Sequence, residues 1–216
     1  MKSKTFKVNG IDLECFYEEE PSFNVIFDEI CAKDCYRILG GKHKEFDYIF
    51  DIGANIGLFS LVASSIYPSS KIVCMEPNLL LKSLLEKNIQ KAEKWFVPFG
   101  NSGEKRILEF MDAGNIYTSS RVSNNGEQCV CLNDFLSEYS PKNYMIKMDC
   151  QNAEHVLFNI DSLTKDHFVS LDNAKYVAIE VHDKKGSDVT KLCQCFKNHY
   201  CEYLNNILYM ERKENT

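Results

Sequence analysis

Four carboxylates each close a short apolar run: Asp51 after Tyr48-Ile49-Phe50, Glu76 after Val73-Cys74-Met75, Asp149 after Ile146-Lys147-Met148, and Glu180 after Val177-Ala178-Ile179, with His182 two residues further on. Carboxylates and an imidazole gathered at one edge can accept hydrogen bonds from hydroxyls, hold a cation or take up a proton. Asp51 is followed by Ile52 and then Gly53-Ala54-Asn55-Ile56-Gly57, which opens a second apolar run. Glycines let the backbone turn sharply and approach a ligand closely, and the free N–H groups that begin the next helix face that ligand. A strand, a carboxylate, a glycine turn and a helix in this order describe a nucleotide-cofactor site.

The elements that must position these residues alternate along the chain. Strands are expected over 47–52, 71–76, 95–99, 144–149 and 176–182, with helices over 56–67, 79–91, 133–139 and 152–160. Short, nearly continuous apolar strands alternating with helices predict a mostly parallel sheet covered on both faces. In such a sheet ligands bind outside the carboxyl ends of the strands, where the four acids lie. A helix over 187–199 and two strands over 200–204 and 207–210, joined at Asn205-Asn206, close the chain as an antiparallel pair. Ahead of the core, stretches 5–8 and 11–17 flank Asn9-Gly10 as a hairpin, and apolar spacing over 24–39 predicts a helix stopped by Gly40-Gly41. Residues 1–45 therefore read as a cap on a core of residues 46–216, the whole forming one domain. Residues 100–132 read as an irregular insert with turn clusters.

The glycine turn selects among cofactors. A dinucleotide fingerprint is G-x-G-x-x-G; this chain lacks the middle glycine and sets Asp51 close before the turn. A negative residue there suits a cationic ligand better than a pyrophosphate, and S-adenosylmethionine carries a sulfonium and an ammonium but no phosphate. Glu76 lies where a strand-terminal acid accepts both hydroxyls of a ribose. A nicotinamide-dependent oxidoreductase is the competing enzyme class, opposed by the missing glycine.

The chain resembles the FkbM-type S-adenosylmethionine-dependent methyltransferases. The resemblance rests on Phe50-Asp51-Ile52-Gly53-Ala54-Asn55-Ile56-Gly57, Met75-Glu76-Pro77-Asn78, Leu85-Glu86-Lys87-Asn88-Ile89, Ile146-Lys147-Met148-Asp149 with Ala153-Glu154, and Ile179-Glu180-Val181-His182, in family order across residues 46–182. It implies a Rossmann-like, mostly parallel seven-stranded sheet, S-adenosylmethionine as donor, and O-methylation of a hydroxyl on a sugar, glycan or polyketide-like acceptor. It also implies that Asp51, Gly53, Ala54 and Asn55 hold the methionine end and Glu76 the ribose, with Gly57 and Pro77 completing those two motifs and Asn101 near the adenine. Where the family reads Lys-Ile-Asp-Val-Glu-Gly-Ala-Glu, this chain has Gln151-Asn152 in place of Glu-Gly. That change motivates a third reading, a methyltransferase-like binding module, although a hydrogen-bonding Gln151 could brace the helix start instead.

Methyl transfer is an in-line displacement on an activated sulfonium, so alignment supplies much of the acceleration. A base must still take the hydroxyl proton, and Asp149, Glu180 and His182 are the candidates, Asp149 first because it should lie nearest the methyl group and so also touch the cofactor. Asp149, Glu154, Glu180 and His182 could instead hold a divalent cation, but no ligand spacing demonstrates one and no metal is expected. Lys147 reads as an anchor for a carboxylate such as Glu154 or Glu180; His155 and His199 read as surface or packing residues.

Composition narrows the partners. Over 216 residues the net charge is -6, which argues against loose binding to nucleic acid or an anionic membrane. Ten cysteines without a paired C-x-x-C pattern, after a polar N-terminus that lacks a signal-peptide stretch, read as reduced, buried small residues of a cytoplasmic protein. No apolar run approaches the roughly 20 residues that span a bilayer.

Overall fold

The computed structural model describes residues 1–40, 43, 45–110, 118–183 and 186–214. Strands β1 (Lys2–Val8) and β2 (Ile11–Tyr17) form the expected hairpin, with Asn9 and Gly10 both at positive φ in the turn. Helix α1 (Glu20–Phe27) begins with Pro21 in its first turn and runs into one widened turn, Asp28–Ala32. The helix expected over 24–39 ends there. Asp34 takes left-handed backbone, φ 49°, and its carboxylate accepts the N–H groups of Ile38 and Leu39 at 2.8 and 3.1 Å, so the chain folds back and buries Tyr36 and Ile38. Gly41, half of the expected stop, lies outside the described residues.

The core then runs β3 (Tyr48–Ile52), α2 (Leu58–Ile66), β4 (Lys71–Met75), α3 (Lys82–Asn88) and β5 (Glu93–Trp95). Next come β6 (Lys105–Phe110), β7 (Thr118–Val122), β8 (Glu127–Gln128), α4 (Leu132–Ser137) and β9 (Tyr144–Met148). It ends with α5 (Ile160–Ser162), α6 (Phe168–Asn173), β10 (Tyr176–Glu180), α7 (Gly186–Cys195), β11 (His199–Leu204) and β12 (Ile207–Arg212). Seven strands form one sheet in the order β11-β12-β10-β9-β3-β4-β5. Strand β12 pairs antiparallel with β10 and β11, while β10, β9, β3, β4 and β5 pair in parallel.

Both faces of this sheet are covered, which is why its central strands carry apolar residues in unbroken runs; all five residues of β9 are buried. On one face Ile49, Cys74, Met145 and Ala178 pack with Phe59, Leu85 and the cap residues Phe23, Tyr36 and Ile38. On the other, Phe50, Val73, Ile146 and Val177 pack with Leu132, Leu171 and Leu192. The cap is fastened by polar contacts as well. Buried Asn88 accepts the Phe16 N–H at 2.7 Å and donates to the carbonyls of Phe16 and Ile56 at 2.9 and 2.7 Å. At the other side of the cap, Tyr209 donates to the Cys35 carbonyl at 2.6 Å and Tyr176 to the Tyr36 carbonyl at 3.2 Å.

Three further expectations are corrected. The insert over 100–132 contains a three-stranded antiparallel sheet, ordered β7-β6-β8, among its described residues; the polar β7 and the two-residue β8 give almost no apolar alternation to read. Residues 111–117 of that insert lie outside the described residues. The helix expected over 152–160 is the tighter 3₁₀ type at Ala153–Phe158, and it is followed by an unexpected helical stretch from Ile160 to Asn173. There Asp166, His167 and Ser170 occupy buried positions beside Leu163 and Leu171, so polar side chains hide the helical period. Finally β5 stops at Trp95, and Phe99 forms a separate parallel bridge to Val130. Among the described residues no helix is long and apolar enough to cross a membrane.

Candidate functional site

Because β4, β3, β9 and β10 are parallel neighbours, the residues that follow them emerge at one edge of the sheet and enclose a cavity. Gly53 turns the chain there at φ 77°, with its N–H donating to the Met75 carbonyl at 2.8 Å. A Cβ on Gly53 would stand 1.7 Å from the Asp149 carbonyl oxygen, so the close approach of the β3 and β9 ends requires glycine. Gly53, Ala54 and Asn55 line the cavity, as do Glu76 and Pro77 after β4. Gly57, at φ 86°, begins α2 behind that wall and packs under Leu85 rather than lining it.

Glu76 is anchored by the loops it joins. Its Oε2 accepts the Asn55 N–H and its Oε1 the Asn78 N–H, both at 2.8 Å. Burial pushes its carboxyl up to about 7, against the pull of these two backbone donors. Each oxygen keeps a second lone pair, so the carboxylate can still accept hydroxyls from the cavity it lines.

Asp51 is placed differently from the expectation. It is fully buried and absent from the cavity wall: Oδ2 accepts the Ser60 hydroxyl at 2.7 Å, and Oδ1 lies 3.1 Å from Lys147 Nζ. Lys147, expected to anchor Glu154 or Glu180, instead pairs with Asp51 and donates to the Gly53 carbonyl at 2.7 Å. Burial works against the charge on Lys147, but Asp51 and Asp149 outweigh it and hold the ammonium above the ordinary lysine range. The pair supports the glycine loop from beneath, with Lys147 reaching the cavity wall and Asp51 behind it.

Asp149 and Glu180 face the cavity together with Tyr36 and Glu29 of the cap. The Tyr36 hydroxyl stands 3.2 Å from Glu180 Oε2 and 3.5 Å from Asp149 Oδ2, and it has one proton to donate between them. Gln151 Nε2 donates to Asp149 Oδ1 at 3.0 Å. Gln151 and Asn152 both hold positive φ, 47° and 79°, the left-handed backbone that asparagine adopts more readily than most residues. Burial, with Asp149 next in effect, pushes the Glu180 carboxyl up to about 7.

His182 lies behind this pair. Its Nδ1 and its backbone N–H are both 2.9 Å from Oε1 of fully buried Glu154, and its Nε2 is 3.8 Å from Asp149 Oδ1 and from Glu180 Oε1. Burial would lower its pKa, but the Glu154 hydrogen bond and the three surrounding carboxylates outweigh that and push it up to about 9. The surrounding carboxylates favour the protonated ring, a form that positions Asp149 and Glu180. Ligand atoms of Asp149, Glu180 and His182 lie within 4.8 Å of one another, close enough to surround one cation, whereas Glu154 is turned to His182 and stands outside the trio.

Asn101 does not reach the cavity wall either: Nδ2 donates to Glu104 at 3.0 Å, and Oδ1 is 3.1 Å from Nε2 of His167. Burial lowers the His167 pKa to about 4, so its ring is neutral. His199 packs internally, with Nε2 3.1 Å from the Ala174 carbonyl. All ten cysteines are free, and Cys15, Cys74, Cys129 and Cys131 are buried as packing residues. Sequence reasoning missed Tyr36 and Glu29. Tyr36 has the spacing of an apolar helix face, and no local signal indicates that the chain turns it into the strand-end site.

No protein-family model matches the chain. Over 64 residues, 30% of its length, it is 41% identical to the methyltransferase sdnD of Sordaria araneosa, and it covers 24% of that protein. It is 27% identical over 221 aligned positions to the AMB antimetabolite synthetase AmbE of Pseudomonas aeruginosa, covering 83% of this chain and 10% of AmbE. The chain thus spans only a quarter or less of these curated relatives. Among solved structures, a methyltransferase from Geobacter sulfurreducens superposes with a TM-score of 0.51 at 12% identity, covering 92% of this chain and 91% of that one. The antiparallel β12 between β10 and β11, the strand order and this superposition agree: the chain has the Rossmann-like methyltransferase fold.

Proposed function

We propose that the chain is an S-adenosylmethionine-dependent methyltransferase of the FkbM type that methylates a hydroxyl of a sugar, glycan or polyketide-like acceptor. The observation that carries the reading is a single cavity walled by the Gly53-Ala54-Asn55 turn and Glu76 as well as by Asp149 and Glu180. The residues fit this donor. Gly53, Ala54 and Asn55 line the cavity at the turn, and Glu76 presents free lone pairs to the hydroxyls of a ribose. When bound, S-adenosylmethionine supplies a methyl group already activated on sulfur. Gly53, Ala54, Asn55 and Pro77 shape the donor side, and Asp51 and Lys147 hold that loop from below.

The chain's own contribution to the chemistry is then orientation and one proton. Asp149 and Glu180 form a carboxylate pair beside the acceptor, and Glu180 ends with the hydroxyl proton because burial and the neighbouring Asp149 charge favour its protonated form. Tyr36 and the cationic His182 hold the pair in place. Gln151 donates to Asp149 and leaves its other oxygen facing Tyr36, which supports turnover by this chain over the binding-module reading.

The test is methyl transfer from labelled S-adenosylmethionine to a panel of hydroxylated sugars and polyketides. At saturating donor, kcat/KM for the acceptor should rise with pH through about 7 as Glu180 ionises. Glu180→Gln should abolish that limb and lower turnover by about 100-fold or more while S-adenosylhomocysteine still binds. Donor binding without turnover across the whole panel would instead favour a binding module.

A further inference from the structure

A second cavity adjoins the one described above. Glu29, Tyr36 and Glu180 line both, and the Tyr36 hydroxyl stands 3.2 Å from Glu180 Oε2 at their boundary. The rest of its wall comes from the cap loop over 33–37, from Tyr209, and from the turn that joins β11 to β12. That turn is fixed against the strand ends: Ile207 pairs with Glu180, and the Asn206 carbonyl accepts the Val181 N–H at 2.8 Å. At its tip Asn205 and Asn206 hold positive φ, 49° and 64°, and both are exposed. The Gly53 turn, Glu76 and Pro77 line the first cavity and not the second, so a donor held by them leaves the second free for the acceptor.

Resting on the methyltransferase reading above, we infer that the acceptor is a neutral glycan of two or more sugars: the unit that receives the methyl stands at Glu180, and the next unit lies in the second cavity against Asn205 and Asn206. Among the described residues the Asn205 side chain has no hydrogen-bond partner, and the Asn206 side chain uses only its Oδ1, on the Tyr203 hydroxyl at 3.4 Å. The turn thus offers carboxamide donors and acceptors side by side, the pairing that neighbouring sugar hydroxyls require. Leu204, 47% exposed, lines the same cavity and gives the C–H face of a sugar ring an apolar patch to rest on. Charge argues against other long acceptors. The cations among the described residues of this wall are already paired, Lys33 with Asp28 and Arg37 with Glu202, each at 2.6 Å, and Arg37 also stacks on the Tyr209 ring at 3.7 Å. A sugar nucleotide or an acidic polysaccharide would bring its anion toward Glu29 and Glu180 with both of those cations engaged elsewhere. An acyl or polyketide chain would displace water from the two amides without replacing its hydrogen bonds.

The test follows methyl transfer by the full chain from labelled S-adenosylmethionine to matched sugars. Glucose, mannose and N-acetylglucosamine are compared with maltotriose, cellotriose, mannotriose and chitotriose, and UDP-glucose serves as the anionic acceptor. In at least one series kcat/KM for the trisaccharide should exceed that for its monosaccharide by about tenfold or more, and the double variant Asn205→Gly, Asn206→Gly should remove most of that excess by raising KM. Glycine accepts the positive φ of both positions, so the turn is kept while both amides are lost. An unchanged S-adenosylhomocysteine Kd and melting temperature verify that the variant folds. Equal kcat/KM for monosaccharide and trisaccharide in every series, an excess that survives the double variant, a preference for UDP-glucose, or donor binding with no turnover of any trisaccharide would each overturn the inference. Failure of S-adenosylhomocysteine itself to bind the native chain would count against the methyltransferase reading instead.

Discussion

Asp51 and His182 are the two residues whose environments change what their types suggest. An acid at the end of β3 looks available to a ligand, yet its oxygens meet Lys147 at 3.1 Å and Ser60 at 2.7 Å in a fully buried position. Removing one member of such a pair strands the other charge, so Asp51→Ala and Lys147→Met should each lower unfolding free energy by about 3–5 kcal/mol. The double variant should be less destabilised than the sum of the two by more than about 1 kcal/mol, measured by denaturant unfolding. Full additivity would mean that the two side chains do not support one another. His182 gives a pH-dependent counterpart. Its pKa rises from 6.5 to about 9 on folding, so the interaction stabilises fully below pH 6.5 and is lost as pH passes 9. The stability gap between the native chain and His182→Gln should therefore close as pH increases from 6.5 to above 9; a gap that widens over that range contradicts the assignment.

At the level of elements, the glycine turn and the strand-end acids were legible in the sequence because each depends on a few consecutive residues. Gly53 is the clearest instance: its φ of 77° and the Asp149 carbonyl 1.7 Å from a Cβ leave no room for a side chain. Gly53→Ala should cost at least roughly 1–3 kcal/mol from backbone strain alone and abolish donor binding. Near-native stability with intact donor affinity would show that the loop is not held as described. Other elements were hidden for physical reasons. The stretch Ile160–Asn173 turns Asp166, His167 and Ser170 inward, which erases the apolar period that identifies a helix. The end of the cap helix depends on one side chain, Asp34, capping Ile38 and Leu39 after the apolar spacing had promised another turn. Tyr36 reaches Glu180 only because of that break.

For the whole molecule, parallel strands ending at one edge gather residues more than a hundred positions apart into one cavity, from Glu29 to Glu180. A mostly parallel sheet with an antiparallel C-terminal pair could be anticipated from strand–helix alternation, whereas the cap's share of the site could not, since it depends on docking through Tyr209, Tyr176 and Asn88. Glu76 is where the central claim is most exposed. Its two oxygens accept the Asn55 and Asn78 N–H groups at 2.8 Å and face the cavity, a position suited to ribose hydroxyls. The decisive measurement is calorimetric titration of the native chain and Glu76→Ala with S-adenosylmethionine, S-adenosylhomocysteine and NAD. The account predicts that both sulfur compounds bind the native chain, that NAD does not, and that Glu76→Ala weakens them by roughly 1.5–3 kcal/mol, about 10- to 150-fold in Kd. NAD binding in their place, or a Glu76→Ala affinity equal to native, would contradict it.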